Sequence, residues 1–318
     1  MDKKISIVIP CYNEEGNISV LVDKIFSITH HLEYDFELIF IDDGSKDNTI
    51  KEIQNQCLRH INIFYVELSR NFGKDQALRA GLAVANGDAV ITMDADLQHP
   101  PSLITKLVNY WEEGFEVIYT YRETNNPHVS WYQKLFSKAY YKVMNFLSSI
   151  ELEEGISDFR LMDRKVLKSL NLIIEQDIFF RGIIKWVGYQ QIGIPYTPDK
   201  RENGEVSYSI FRLVKLAVSS VLSFSVKPLI IATFMGVIFA FLAVLLAPYI
   251  IISYLLGYAV SGWTSLITTI VFFGGLQLFI LGVISLYLSK LYLQSKHRPN
   301  YLIRKTNYLN ISNDSVKF

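Results

Sequence analysis

The chain has 318 residues, half of them hydrophobic, and its 31 Lys and Arg balance its 31 Asp and Glu, so the formal net charge is zero. This length points to two parts, and a neutral balance is not that of a chain that binds nucleic acid through bulk positive charge; no nucleic-acid partner is expected. Cys11 and Cys57 are far apart without metal-ligand spacing, and they read as free thiols of a reducing compartment.

Residues 1 to about 125 alternate strand and helix. Ile5-Ser6-Ile7-Val8-Ile9 is a short apolar run, as expected for a strand covered on both faces. Ile18, Leu21, Val22 and Ile25 follow at helical spacing. Phe36–Ile41 reads as a second strand, with Ile53 on the helix after it. Ile61–Val66 reads as a third. Gln76–Ala85 is helical and stops at Asn86-Gly87. Ala89–Met93 is a fourth strand, Pro100-Pro101 opens a helix through Tyr110, and Val117–Tyr121 is a fifth strand. Strands separated by helices predict an α/β fold with a mostly parallel sheet and helices on both faces. Ligands of such sheets bind beyond the carboxyl ends of the strands.

The polar residues sit at those ends. Strand one runs into Pro10-Cys11-Tyr12-Asn13-Glu14-Glu15, strand two into Asp42-Asp43-Gly44-Ser45, and strand four into Asp94-Ala95-Asp96-Leu97-Gln98. In extended backbone Asp94, Asp96 and Gln98 share a face. Hard oxygen ligands in a row suit Mg2+ or Mn2+ holding a diphosphate, although a turn with solvated aspartates fits the same pattern.

Residues 126–200 are mixed. Tyr132–Leu147 reads as an aromatic-rich helix and Ile192–Tyr196 as a returning edge strand. Ser209–Phe224, with Arg212 and Lys215, reads as an amphipathic helix on a membrane surface. Between Lys227 and Lys290 there is no Asp, Glu, Lys or Arg. That run holds two candidate membrane spans, about Leu229–Ile252 and Leu266–Leu288. Cations flank the pair on both sides and are missing from the loop between, which predicts a hairpin with both termini in the cytoplasm at the inner membrane. The amino-terminal sequence lacks a signal-peptide pattern, so the first part is expected to stay cytoplasmic. Tyr249, Tyr254, Tyr258 and Trp263 suit an interfacial aromatic belt, and Gly274-Gly275 a close helix contact in a homo-oligomer. The expected division is a catalytic domain over 1–205, a juxtamembrane helix over 206–226, the hairpin over 227–290 and a tail over 291–318, loose from about Asn307.

Ile7–Glu15, Asp42–Asp47, Ser69-Arg70-Asn71-Phe72-Gly73-Lys74, Asp94–Pro100 and Ser157-Asp158-Phe159-Arg160-Leu161-Met162, together with the two spans, resemble the family 2 glycosyltransferases of GT-A type fold. Within them the chain is similar to the polyprenyl-phosphate group of bactoprenol glucosyltransferases and dolichol-phosphate mannosyltransferases. The resemblance implies inverting transfer of a hexose, glucose first, from a nucleoside diphosphate sugar to a polyprenyl phosphate, with Mg2+ or Mn2+ as cofactor. It implies that Pro10, Tyr12, Glu14, Asp43 and Lys74 line the donor nucleotide site. Asp43 would accept from a uracil imide. Asp94 would face the sugar or ribose, and Asp96 and Gln98 would hold the metal. Arg122, Lys134 and Arg201 would bind the acceptor phosphate, Arg201 from a loop that helps close the site, and Asp94 and Arg122 would also share in catalysis. Asp158 would stand near the reaction centre, either catalytic or as a salt-bridge partner of Arg160. Two departures stand out. Glu205-Val206-Ser207-Tyr208 lacks the lysine usual there, and Ser285–Lys290 lacks the usual acidic residue.

Other donors (UDP-N-acetylglucosamine, UDP-galactose, GDP-mannose, UDP-aminoarabinose) fit the same pattern. A processive polysaccharide synthase is disfavoured, since two spans enclose no polymer pore. An inactive membrane scaffold is disfavoured by carboxylates at three strand ends. A transporter is disfavoured because the spans hold no ionisable residue.

Overall fold

The computed structural model describes residues 3–122, 155–175, 180–197, 225–256 and 262–308. Lys134, Arg201, the expected aromatic helix, the amphipathic segment Ser209–Phe224, and Tyr258 lie outside the described residues.

The strands are β1 (Lys4–Cys11), β2 (Asp35–Asp42), β3 (Ile63–Leu68), β4 (Ala89–Thr92), β5 (Val117–Arg122), β6 (Ile156–Asp163), β7 (Gln191–Tyr196) and β8 (Ile303–Thr306). They form one sheet in the order β7-β5-β6-β4-β1-β2-β3-β8. β1, β2, β3 and β4 pair in parallel, as do β5 and β7. β6 runs antiparallel to β4 and β5, and β8 antiparallel to β3. The helices that cover it are α1 (Ile18–Thr29), α2 (Thr49–Arg59), α3 (Lys74–Val84), α4 (Leu103–Glu112), α5 (Arg164–Asn171) and α6 (Phe180–Trp186).

The continuous apolar run of β1 follows from this layering. Ile5, Ile7 and Ile9 pack with the buried faces of α1 and α4, while Val8 points to the other face with α3, α5 and α6. Each face has its own core, so alternation of polar and apolar residues disappears. Gly81 of α3 lies directly on Val8 and Ile41, where a Cβ would collide with both side chains.

Two further helices, α7 (Lys227–Leu255) and α8 (Trp263–Ser295), are long and apolar enough to cross a membrane. At 29 and 33 residues they are about 44 and 50 Å long, against a hydrocarbon layer of about 30 Å. Phe234, Phe241, Leu278 and Phe279 on them are more than 60% exposed, unlike the side chains of a soluble core helix. The helices touch through Phe239, whose ring lies 6.1 and 5.5 Å from those of Phe272 and Phe273. The tyrosine hydroxyl of Tyr287 donates to the Ser225 carbonyl at 2.6 Å. Gly274 and Gly275 do not make the contact within the chain: a Cβ at either would meet nothing within 4 Å.

After α8 the chain returns to the sheet, and Asn307 and Tyr308, the first residues of the expected loose tail and its last described ones, are held in place. β8 joins the sheet, and Ser69 donates from its backbone to the Leu302 carbonyl at 2.8 Å. Asn307 accepts from the Tyr65 amide at 2.7 Å, and Tyr308 donates to the buried Glu37 carboxylate at 3.0 Å. Glu37 also meets Ser6 Oγ and Lys4 Nζ, each at 2.5 Å. A carboxylate under the sheet thus ties the chain's last described residues to its first strand. An unpaired tyrosine hydroxyl or carboxylate there would carry a desolvation cost, which explains why a short polar segment docks.

Candidate active site

A cavity of about 980 Å³ opens at the carboxyl ends of the parallel strands. Pro10, Tyr12, Glu14, Asp43, Lys74, Asp94, Asp96, Gln98 and Arg122 all line it, together with Cys11, Asn71, Gly73, Ala77, Ala95 and Arg181. Every described residue singled out from the sequence is therefore at one place. Asp158 is buried in the wall behind Lys74 and Arg181.

The wall formed by β1 and β2 is laced through backbone amides. Asn13, at φ 57, takes an amide bond from Lys46 on its side chain (2.8 Å), while its own amide donates to Ser45 Oγ (3.0 Å). The Glu14 amide donates to Thr49 Oγ1 at 2.8 Å. Asp47 accepts from the Thr49 amide at 3.0 Å and from the Glu15 amide at 3.3 Å. Asp42 accepts from the Ser45 amide at 3.3 Å. Asp43 accepts from the Phe72 and Gly73 amides at 2.7 and 2.9 Å. Burial pushes the Asp43 carboxyl up, against the pull of those two amides. Gly44 makes the approach possible: its φ is +70°, and a Cβ there would lie 2.6 Å from the Arg70 carbonyl carbon. These acids shape the loops that hold Pro10, Tyr12 and Glu14 at the cavity.

The wall formed by β4, β6 and α6 is made of ion pairs. Lys74 Nζ bridges Asp94 (2.6 Å) and Asp158 (2.7 Å). Arg181 grips Asp158 with two bonds, Nε to Oδ1 at 2.8 Å and Nη2 to Oδ2 at 3.0 Å. Arg160, fully buried, stands 3.7 Å away and donates to the Ser157 carbonyl. The expected Asp158–Arg160 salt bridge is therefore secondary to Lys74 and Arg181. Burial alone would raise the Asp158 carboxyl, but the charges of Lys74 and Arg181 outweigh it and hold the group well below the usual carboxylate range. Partial desolvation would lower the Lys74 ammonium, and Asp94 and Asp158 more than offset it. Asp158 thus stays ionised, with both oxygens engaged by Lys74 and Arg181.

Asp94 and Asp96 reach the cavity by a different route from the extended strand expected. β4 ends at Thr92, and the segment after it bends, with Leu97 at φ 60. His99 holds the bend. Its Nδ1 accepts from the Asp94 amide at 3.1 Å, and its Nε2 lies 2.7 Å from Ser157 Oγ. This pattern assigns the proton to Nε2 of a neutral ring. Burial pushes the His99 imidazole down, only partly offset by Asp94. The ring stacks on Phe159 at 5.2 Å. Arg122 donates to Gln98 Oε1 at 3.0 Å and to Tyr196 at 3.3 Å.

Among the described residues no three His, Cys, Asp or Glu side chains converge as a self-sufficient metal site. Of the four carboxylates that line the cavity, Asp94 and Asp96 stand beside the Gln98 amide, with Asp94 paired to Lys74 and Gln98 Oε1 to Arg122. That hard, incomplete donor set fits a divalent cation such as Mg2+ that completes its shell with water and substrate phosphate.

Arg181 and His99 were not singled out by their chemistry in the sequence. Arg181 follows two phenylalanines in an unpatterned stretch, and its partner Asp158 is 23 positions away. No spacing rule signals such a pair.

A mostly parallel α/β sheet with helices on both faces and a cleft at its strand ends is the layout expected of a GT-A type architecture. The family model for glycosyl transferase family 2 matches residues 6–170, and the chain belongs to that family. An uncharacterized glycosyltransferase of Synechocystis sp. is 39% identical, covering 95% of each chain. A bactoprenol glucosyl transferase of Shigella phage SfV is 36% identical, over 95% of this chain and 98% of that one. A prophage bactoprenol glucosyl transferase homolog of Escherichia coli K12 is 34% identical, over 95% and 99%. Among solved structures, mannosyl-3-phosphoglycerate synthase from Rubrobacter xylanophilus matches with a TM-score of 0.50 at 16% identity, over 69% of this chain and 72% of that one. That likeness concerns the fold.

Proposed function

We propose that the protein transfers glucose from UDP-glucose to a polyprenyl phosphate at the cytoplasmic face of a membrane, with inversion at the anomeric carbon. The observation that carries this reading is the edge on which the cavity opens. β7 ends there at Tyr196, in register with Arg122 of the cavity, before the chain continues towards α7. β8 begins there, and the roughly seven residues from Ser295 to Leu302 span at most about 24 Å. So short a link keeps the catalytic domain near an apolar helix end, which suits an acceptor whose phosphate lies at headgroup level. Near-full-length similarity to bactoprenol glucosyl transferases supports the same acceptor and sugar.

In the reaction an acceptor phosphate oxygen attacks the anomeric carbon opposite the leaving group. The new bond joins that carbon to the phosphate oxygen, the bond to the diphosphate breaks, and UDP leaves. The acceptor monoester is largely a dianion at neutral pH, with a second pKa near 6, so the attack needs no base. Pro10, Tyr12, Glu14 and Asp43 hold the nucleotide, and Asp94 faces the sugar. Lys74 and Arg122, aimed into the cavity, offset charge as it grows on the diphosphate. Asp96 and Gln98, with Asp94 beside them, would hold Mg2+ or Mn2+, which when bound supplies Lewis-acid stabilisation of the leaving group. Lys134 and Arg201 are assigned to phosphate on the family resemblance alone. The hairpin keeps both termini cytoplasmic and raises the local concentration of acceptor. Its open Gly274-Gly275 face suits a homo-oligomer.

A donor panel tests the reading. Detergent-purified protein is given undecaprenyl phosphate, Mn2+ or Mg2+, and labelled nucleotide sugars one at a time. Organic-soluble label from UDP-glucose, lost with EDTA and with Asp96→Ala, is the expected result. UDP binding without transfer from any donor would replace this reading with a scaffold.

A further inference from the structure

We propose that Leu172 and Ile174, just after α5, form a docking tip by which the catalytic domain sits on an anionic lipid surface beside the end of α8. The inference rests on the membrane-spanning reading of the hairpin and on nothing about the sugar or its acceptor. Single surface aliphatics need no explanation, but these two are 79% and 77% exposed and stand together. Ile173 between them packs on the core that α3, α5 and α6 share, so its two neighbours point outward. The tip is also rigid. Arg79 of α3 donates from Nη1 to the Glu175 carbonyl at 2.7 Å and from Nη2 to the Ile173 carbonyl. Apolar side chains held out by a fixed backbone lose little freedom on leaving water.

The surroundings say what covers the tip. Asn300 Nδ2 donates to the same Glu175 carbonyl at 3.4 Å, and Tyr301 packs on the same core as Ile173. β8 begins at Ile303, opposite Leu68 at the carboxyl end of β3, so this contact lies at the edge on which the cavity opens. From Ser295, the last residue of α8, the chain reaches at most about 18 Å to Asn300. Lys290 is the first charge after the apolar run, and Ser295 lies about 8 Å further along the helix axis, at headgroup depth. Lys168, in the last turn of α5 on the side of Leu172, and Lys296 are both exposed and outnumber Glu175 in the loop. Lysines around exposed aliphatics complement anionic headgroups. The spans attach the catalytic domain at one place, and the tip supplies a second, which sets the tilt of the cavity to the bilayer.

The test uses the full chain in lipid nanodiscs, with Cys57→Ser and the buried Cys11 left in place. A fluorescent label is put on one introduced thiol at a time: Leu172→Cys, Ile174→Cys, Ile61→Cys or Leu278→Cys. Ile61, 96% exposed just before β3 at the edge opposite the cavity, is the aqueous reference, and Leu278 of α8 is the lipid reference. Quenching by brominated lipids is expected to be severalfold stronger at Leu172 and Ile174 than at Ile61, with iodide quenching correspondingly weaker. Both differences are expected to grow when phosphatidylglycerol is added to phosphatidylcholine. Labels at Leu172 and Ile174 that behave like the one at Ile61 overturn the docking tip. Shielding from iodide without lipid quenching overturns it too, and assigns the face to a second copy of the chain. Equal lipid quenching with and without phosphatidylglycerol overturns the part given to the lysines. A label at Leu278 that lipid does not quench overturns the spanning hairpin and the tip with it. Sugar transfer enters none of these readouts, so a chain that docks but transfers nothing overturns the functional reading alone.

Discussion

The two walls of the cavity use the same residue type for opposite ends. On the β1–β2 wall, Asp42, Asp43 and Asp47 accept from backbone amides, and the effect is to set the shape of the loops, with Asp43 also facing the cavity. On the β4–β6 wall, Asp94 and Asp158 accept from Lys74 and Arg181, and the effect is to hold charge in place. An amide partner belongs to the fold and stays when substrate arrives. A lysine or arginine partner can turn part of its bonding to an incoming phosphate. Carboxylates in a cleft therefore do not share a role by virtue of being acids; the partner decides it.

The contrast is broken most severely at Asp158. Asp158→Asn leaves Lys74, Arg181 and the buried Arg160 around a neutral amide. Transfer is expected to fall by about a hundredfold or more, as when a preorganised charge partner is lost. Stability is expected to fall by about 3 kcal/mol, the low end for breaking a buried pair because Lys74 and Arg181 are two-fifths exposed. Thermal melts with the transfer assay check both. An active, stable variant would remove the anchor role.

An intermediate effect is expected on the other wall. Asp47→Ala removes acceptors for the Thr49 and Glu15 amides at the start of α2. A stability loss of about 1 kcal/mol is expected, with weaker UDP binding and nearly normal kcat at saturating donor. A collapse of kcat with normal UDP affinity would mean that this wall too acts in the chemistry.

The last effect is absent at neutral pH and emerges only on acidification. His99 is held below its ordinary value, so as pH falls below about 6.5 the unfolded chain takes up a proton that the folded chain refuses. Stability contributed by the neutral ring is full above that pH. It declines below it, down to the folded value, by at most about 1.4 kcal/mol per pH unit. Asp158, held low, contributes stability that is lost only below about pH 4, so the windows separate. His99→Gln should flatten the unfolding curve between about pH 6.5 and 5 relative to wild type. Parallel curves would mean that the ring is not kept neutral.

Much was legible along the chain because the signals are local. An apolar run over Ile5–Ile9, acids immediately after it, and a charge-free stretch from Lys227 to Lys290 each follow from neighbours in sequence. Strand alternation determined the parallel core and put the acids at its carboxyl edge, since a strand's end is fixed once its core residues are. Only the tertiary structure decided what those acids touch. Asp158 meets Lys74 from α3 and Arg181 from α6. Glu37 meets Tyr308, whose position after α8 suggested a tail. Asp94 is turned by a bend that His99 and Ser157 fasten. Pairings of this kind are set by which elements stack on which side of the sheet, and an isolated arginine or tyrosine carries no periodic mark of its partner.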